Sequence, residues 1–235
     1  MAIITISREL GSGGEEIAAR VADKLGFSLV DKPQIEQFLK EYDLDEIDLD
    51  QIDERSPEFP AQGDSDQELY VDLIRSFIVD LAEEEYLVVL GRGGQFIFRD
   101  FSDTLHVRVT ASWELRIKRI ADAFHVGQQE AARLLRRSDR ERAQYVHHFY
   151  QGDWADLSLY DLVLRTDRIE LDGAVALIVR SAELFQLEQK GQSFPSSVPE
   201  MVKAVEWTEK ERCPPLPRSS TRARRSSPRS WTSIG

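Results

Sequence analysis

Gly11-Ser12-Gly13-Gly14 follows an apolar, β-branched run, Ala2-Ile3-Ile4-Thr5-Ile6, and precedes a segment in which Ile17, Val21 and Leu25 recur every four residues beside Ala18 and Ala22. The first run suits a strand buried on both faces of a parallel sheet; the second, closed by Gly26, suits an amphipathic helix. Between a strand and a helix of this kind, backbone N–H groups and the helix dipole make an anion site, with phosphate the natural ligand. Gly14, Glu15 and Glu16 stand where the phosphate-loop pattern GxxxxGK(S/T) has its lysine and hydroxyl. The two glutamates also favour a helix N-terminus electrostatically, so a plain glycine turn is the alternative.

A second glycine-rich turn, Gly91-Arg92-Gly93-Gly94, directly follows the apolar run Tyr86-Leu87-Val88-Val89-Leu90. In doubly wound sheets ligands bind beyond the carboxyl ends of the strands, so Arg92 is expected in the same crevice as the first loop. Its guanidinium suits bidentate binding of phosphate, or else pairs with one of many surface acids. From about Gln129 to Phe149 the helical period places Arg133, Arg136, Arg137 and Arg140 on one arc, opposite Leu134, Leu135, Tyr145, Val146 and Phe149. Arg142 falls among the apolar positions with Asp139 one turn before it. A charge pointed inward needs a partner, so the two either form an ion pair or border a polar ligand. His106, His125, His147 and His148 lack metal-ligand spacing, and no metal ligands are assigned.

Positioning these residues takes alternating strands and helices. Phe27–Val30 reads as a second short strand ended by Asp31, and Pro33 suits the first turn of a helix carrying Ile35, Phe38 and Leu39. Residues 41–68 hold twelve acids and one base, Arg55, and read as a solvated helix fragment and loop. Tyr70 to Ala82 is helical by period and leads into the strand 86–90. Leu105, Val107 and Val109 alternate with His106 and Arg108 in a fourth strand, after which Ser112 can cap a helix containing Leu115, Ile117 and Ile120. Asp161–Arg165 is the last strand, and residues 172–187 form a closing apolar helix. The expectation is an α/β fold with a mostly parallel sheet of about five strands and helices on both faces.

Composition bounds the rest. The chain has 235 residues and a net charge of −12, with six arginines and no acid in residues 212–235, which leaves −18 on residues 1–211. A body so acidic repels a nucleic-acid backbone. The Ser-, Pro- and Arg-rich tail has no apolar periodicity and is expected to be disordered, either a dispensable extension or an arm for nucleic acid or an acidic partner. The single Cys213 excludes an internal disulfide framework. No apolar run approaches the ~18 residues of a membrane span, and the start lacks signal-peptide features, so a cytoplasmic location is expected.

Three stretches, ITISRELGSGGEEIAARVADKLGFSLVDK, VVLGRGGQFIFRDFSDTLHVRVTASWELRIKR and SDRERAQYVHHFYQGDWADLSLYDLVLRT, resemble in order and spacing the cytidylate kinase-like family, relatives of CMP kinase. The resemblance covers residues 3 to about 185. It implies a P-loop kinase-type three-layer fold over residues 1–190, a helical lid at about 121–150, and a linker and basic tail over 191–235. It further implies ATP and Mg²⁺ as cofactors and a nucleotide-like phosphate acceptor. Carried over by position, Gly11, Ser12, Gly13, Gly14 and Glu15 would cradle ATP phosphates, and Arg92 the acceptor phosphate. Asp139 with Arg142 would take the acceptor's sugar and phosphate; Asp31 and Lys32 occupy a monophosphate-contacting turn; Arg137 is a lid arginine.

The chain departs from CMP kinase at defined places. CMP kinase has a lysine and a serine or threonine where this chain has Gly14 and Glu15, an acid where it has Ser7, and a base-reading aspartate where it has Gly93. Many family members carry an arginine at the Glu15 position. Arg8 is the nearest remaining cation and is expected to substitute for the lysine. The expected function is ATP-dependent phosphoryl transfer to CMP or a similar small acceptor, the alternative being a catalytically silent nucleotide sensor.

Overall fold

A computed structural model describes residues 2–41 and 65–188; the acidic segment from 42 to 64 and the basic tail lie outside the described residues. Strand β1 (Ile3–Arg8) is followed by the glycine turn and helix α1 (Gly14–Leu25), which ends on Gly26 at φ 66°. That left-handed conformation is the one glycine adopts without steric penalty. Then come β2 (Ser28–Val30), α2 (Lys32–Glu41), α3 (Ser65–Glu84), β3 (Leu87–Leu90), a four-residue helix α4 (Gly94–Ile97) and β4 (Thr104–Thr110). The chain continues through α5 (Trp113–Phe124), α6 (Gln128–Tyr150), a 3₁₀ turn (Leu157–Leu159), β5 (Leu162–Arg165) and α7 (Leu171–Glu188).

The five strands form one sheet in the order β2-β3-β1-β4-β5, every pairing parallel. β1 is central, with Ile6 opposite Leu90 on one side and Val107 on the other. Side-chain alternation divides the core into two layers. Ile4, Ile6, Val88 and Leu90 pack under α1 and α7, against Ile17, Val21, Val175 and Ile178. Ile3, Leu87 and Val89 pack on the other face against Ile35, Leu39, Ile74 and Ile78 of α2 and α3, together with Tyr145, Val146 and Trp154. Each fully buried Ile or Val contributes about 1.5–3 kcal/mol, so the sheet centre is the stable frame on which the strand ends are held. A third, smaller cluster of Ile120, Ala131 and Leu135 joins α5 to the start of α6 and packs against Leu10 in the glycine turn.

The sequence-based elements hold, their ends shifted by no more than five residues. Three local features go beyond that reading. Ser112 sits at the N-cap of α5, but its side chain makes no capping bond. Arg108, which alternates with the apolar residues of β4, is buried, because β4 lies inside a sheet covered on both faces. The helix Gly94–Ile97 has no periodic signature, since one turn is too short to show one. No helix among the described residues is long and apolar enough to cross a membrane.

Within the sheet, Thr5 Oγ1 and His106 Nδ1 are 2.7 Å apart across β1 and β4. Burial holds the His106 pKa below its ordinary 6.5, with nearby Asp161 opposing the shift. The unfolded chain therefore takes up this proton more readily than the folded one. The stability that neutral His106 contributes is complete above about pH 6.5 and is lost as the pH falls toward its lowered midpoint. An NMR titration is expected to give a His106 midpoint below 6.5. In urea melts over the same range, His106→Gln should flatten part of the parent's acid-side loss.

Candidate functional site

The glycine turn is built by its own backbone. Ser12 N and Oγ both donate to Glu9 O, at 3.1 and 2.7 Å, closing the loop tightly. Gly11 and Gly13 adopt φ 77° and 85°, and Gly13 stands at the N-cap of α1 with no side-chain cap. The first-turn N–H groups of α1 thus lack helical acceptors, as an anion site requires.

Gly14 and Arg8 fit each other. A Cβ at Gly14 would lie 2.4 Å from Arg8 Cβ and 2.8 Å from Arg8 Cγ, so the aliphatic stem of Arg8 runs through the place where a side chain at position 14 would begin. The buried Arg8 donates from Nε to Glu15 Oε1 at 3.2 Å, and Arg142 Nη2 lies 3.8 Å from the same oxygen. One carboxylate oxygen therefore sits between two buried guanidiniums. The Glu15 side chain is 41% exposed, so solvent screens this contact and it adds little stability. The geometry defines a place for negative charge held by a group that water can reach.

Helix α5 braces the loop from behind. Arg116, buried, donates from Nε to Leu10 O at 2.7 Å and from Nη2 to both Asp139 oxygens at 2.6 and 2.9 Å, and Glu9 Oε2 lies 3.5 Å from Nη1. Arg119 donates to Gly11 O, Ser12 O and Thr166 Oγ1 at 3.2, 3.0 and 2.9 Å. Tying these carbonyls to side chains of α5 holds the loop backbone in one conformation. Asp139 thus serves as the link from α6 to Arg116 and the loop. Arg142 instead donates to Ser138 Oγ at 2.7 Å.

The second turn is conformationally demanding. Gly91, Arg92 and Gly93 have φ of 75°, 58° and 70° in succession, and Arg92 is 3% exposed. The Tyr150 hydroxyl donates to Arg92 O at 2.8 Å, and a Cβ at Gly93 would lie 2.2 Å from the Tyr150 ring. Position 93 therefore has no room for a side chain while Tyr150, stacked on Phe96 at 5.1 Å, is in place.

Between the two turns a crevice is lined by Ser7, Arg8, Gly91, Gly93, Gln95, Arg142, Val146 and Trp154. The Trp154 Nε1 donates to Ser7 Oγ at 2.9 Å, and Arg108 lies over the Trp154 ring at 4.3 Å while donating to Trp154 O at 2.6 Å. This packing pins the segment after α6 to the end of β1.

Of the residues selected from sequence, Arg8, Glu15 and Arg142 come together, and the Arg92 turn borders the same crevice. Gly11 to Gly14 form the first turn, while Asp31, Lys32, Arg137 and Asp139 have partners of their own. Asp31 accepts from Gln34 N at 3.3 Å as a cap of α2, and Lys32 lies 3.9 Å from Glu36. Arg137 is exposed and donates to Glu141 on its own helix at 2.6 Å. Arg108, Arg116, Arg119, Gln95 and the Trp154–Ser7 bond were not legible as site features. The hydrogen-bond partners of the three arginines and of Trp154 lie 23 to 147 residues away, and an arginine's type alone does not say that it is buried.

The residues fit a polyphosphate, with an N–H cradle at α1 and the guanidiniums of Arg8 and Arg142 beside it. Among the described residues there is no cluster of three or more His, Cys, Asp or Glu that could hold a metal ion. A magnesium ion would therefore be held chiefly by phosphate oxygens and water, as that ion commonly is.

A parallel sheet with a glycine turn between its first strand and first helix, and arginines gathered at the strands' carboxyl ends, defines a P-loop kinase-type fold. The model of the cytidylate kinase-like family matches residues 3–168, and the chain belongs to that family. It is 26% identical over 183 residues to the cytidylate kinase of Haloarcula marismortui, covering 78% of this chain and 90% of that one. It is 27% identical over 179 residues to the cytidylate kinase of Pyrobaculum islandicum, covering 75% and 90%. Among solved structures, an uncharacterized protein from Eubacterium ventriosum superposes with a TM-score of 0.63 at 21% identity, covering 78% of this chain and 99% of that one.

If Gly14 is empty because Arg8 fills its space, the two positions are energetically coupled. Gly14→Ala is expected to destabilise the chain by about 1–3 kcal/mol, because a Cβ–Cβ overlap cannot be relieved by a flexible tip. In an Arg8→Gly background the same change should cost much less, with a coupling of about 0.5–3 kcal/mol. Denaturant midpoints of the four chains measure it.

Proposed function

We propose that this protein is an ATP-dependent kinase that moves the γ-phosphoryl group onto the phosphate of a nucleoside monophosphate or similar small acceptor, with CMP the first candidate. The observation that carries this reading is the Arg8 stem in the space of the absent side chain at position 14. A cation is thus kept beside the glycine loop although its lysine is gone. On this reading residues 1–190 are the kinase domain, with a lid over about 121–150.

Phosphoryl transfer needs positioning and charge more than covalent chemistry from the protein. The N–H groups of Gly13 and Gly14 and the Arg8 guanidinium would hold the β- and γ-phosphates. Arg92 would hold the acceptor phosphate, and Arg142, between the turns, would steady the oxygens exchanged as the acceptor's phosphate oxygen bonds to the γ-phosphorus and ADP departs. Magnesium, entering with ATP, supplies further charge compensation. Glu15 must leave Arg8 and Arg142 for phosphate to replace it. Arg137 and Asp139 act on ligand only if α6 moves, since their present partners are Glu141 and Arg116. Asp31 and Lys32 would meet the acceptor at the end of β2.

The second reading, a nucleotide sensor without turnover, is favoured by one observation. A carboxylate, Glu15, stands where a hydroxyl would meet magnesium, and it lies against the arginines. Calorimetric titration with ATP, Mg²⁺ and CMP, followed by a transfer assay on the same samples, separates the two. We expect CDP to form, Arg92→Ala to raise the KM for CMP about tenfold or more, and Arg8→Met to lower kcat about a hundredfold. Tight ATP binding with no transfer to any monophosphate would establish the sensor instead.

A further inference from the structure

Strand β5 ends the sheet, beside β4 and with no strand beyond it among the described residues. Thr166 N bonds to Thr110 O at 2.9 Å and Leu164 O accepts from Thr110 Oγ1 at 3.3 Å, so Leu162 and Leu164 turn their backbone groups toward β4. Because that direction alternates along a strand, Val163 and Arg165 turn theirs outward. Arg165 O is already taken by Arg168 N and Ile169 N, and Asp161 N by His106 O. The outer edge still offers the N–H and C=O of Val163 and the N–H of Arg165, a template for a further strand. The side chains follow the same order. Asp161, Val163 and Arg165 are exposed and alternate with Leu162 and Leu164, which pack inward with α7.

Helix α7 extends this edge. It lies over β4, whereas α1 lies over β1 and β3, and Asp172 of α7 pairs with Arg20 of α1. Leu177 and Leu184, two turns apart, fall on the other flank of α7, the one on the β5 side. They are 44% and 48% exposed, and Val163 is 41% exposed.

We propose that two copies of this chain join through β5, antiparallel about a two-fold axis at Val163, to make one continuous sheet. The inference is independent of the kinase reading. In such a contact every pair occurs twice. Val163 meets Val163 of the second copy and exchanges both backbone bonds with it, while Arg165 N–H reaches the C=O of Asp161 across the axis. The side chains of Asp161 and Arg165 then stand directly opposite each other, where unlike charges attract. Each keeps a side for the other. Arg165 gives Nε and Nη2 to Asp167, leaving Nη1, and Asp161 receives His106 N on Oδ2, leaving Oδ1. Leu177 and Leu184 of the two α7 helices face each other on one side of the joined sheet. Charge on a short edge strand is a common guard against pairing. Here the two charges are opposite in sign and equally spaced about Val163, so they attract a copy in this register and repel an in-register parallel one.

Sedimentation velocity of the full chain over a range of concentrations, with thermal melts alongside, tests this. The parent is expected to form a dimer that dissociates on dilution. Arg165→Glu and Asp161→Lys each set like charges opposite one another at both ends of the contact, and each alone should sediment as a monomer. Mixed in equal amounts, the two restore unlike charges at both ends, and the dimer should return. Misfolding of either variant cannot produce that rescue. Leu177→Glu, which alters neither charge, should raise the dissociation constant about tenfold or more. A parent that stays monomeric at every concentration overturns the inference. So does a dimer that persists in both Arg165→Glu and Leu177→Glu, since the contact then lies elsewhere. A mixture of the two charge variants that remains monomeric while both melt cooperatively overturns it as well, as does assembly that runs past the dimer, the mark of an open contact. Should Asp161→Lys fail to fold for want of its bond to His106 N, Arg165→Glu and Leu177→Glu decide the matter by themselves.

Discussion

Guanidinium groups buried at the carboxyl edge of a parallel sheet must have negative company, and this constraint orders most of what surrounds the crevice. Arg8, Arg92, Arg108, Arg116 and Arg142 are all buried. Leaving one buried charge uncompensated costs several kcal/mol, more than any single apolar contact returns. Arg116 is met by Asp139 and backbone, and Arg108 by the Trp154 carbonyl and two aromatic rings. Arg8 and Arg142 share the half-exposed Glu15. The first two sets are held largely by backbone carbonyls and partly buried groups, and they hold the frame. The last shares the most exposed of these carboxylates, and the proposed function has a ligand's phosphate take its place.

The frame and the site are mechanically continuous. Arg119 and Arg116 tie the carbonyls of the glycine turn to α5, and Asp139 extends the tie to α6, the helix that also carries Arg142. At its far end α6 is locked to the second turn by the Tyr150 hydroxyl on Arg92 O. Movement of α6 would therefore be felt at both turns together.

Much of the fold was legible from apolar period alone. Ile17, Val21 and Ala18 are buried where the four-residue spacing put them, and the long helix extends one residue beyond the expected range at each end. Legibility ended where the physics is non-local. The spacing of Asp139 and Arg142 suggested a pair, yet Asp139 is taken by Arg116, 23 residues away on another helix. Arg108 alternates with apolar residues, and nothing in that spacing told that its strand has neighbours on both sides. Gln95 has an unremarkable type in a helix too short for any pattern. The glycine at position 14 read as a lost lysine; only the path of Arg8 reveals that its absence makes room.

The central claim is that Arg8 serves the glycine turn as its phosphate-binding cation. A crystal structure of the chain with ATP and Mg²⁺ tests it most directly. The account predicts the Arg8 guanidinium within hydrogen-bonding distance of the β- or γ-phosphate, with the Glu15 carboxylate moved off Arg8. Phosphates seated elsewhere, or in the turn with Arg8 still on Glu15, would contradict it.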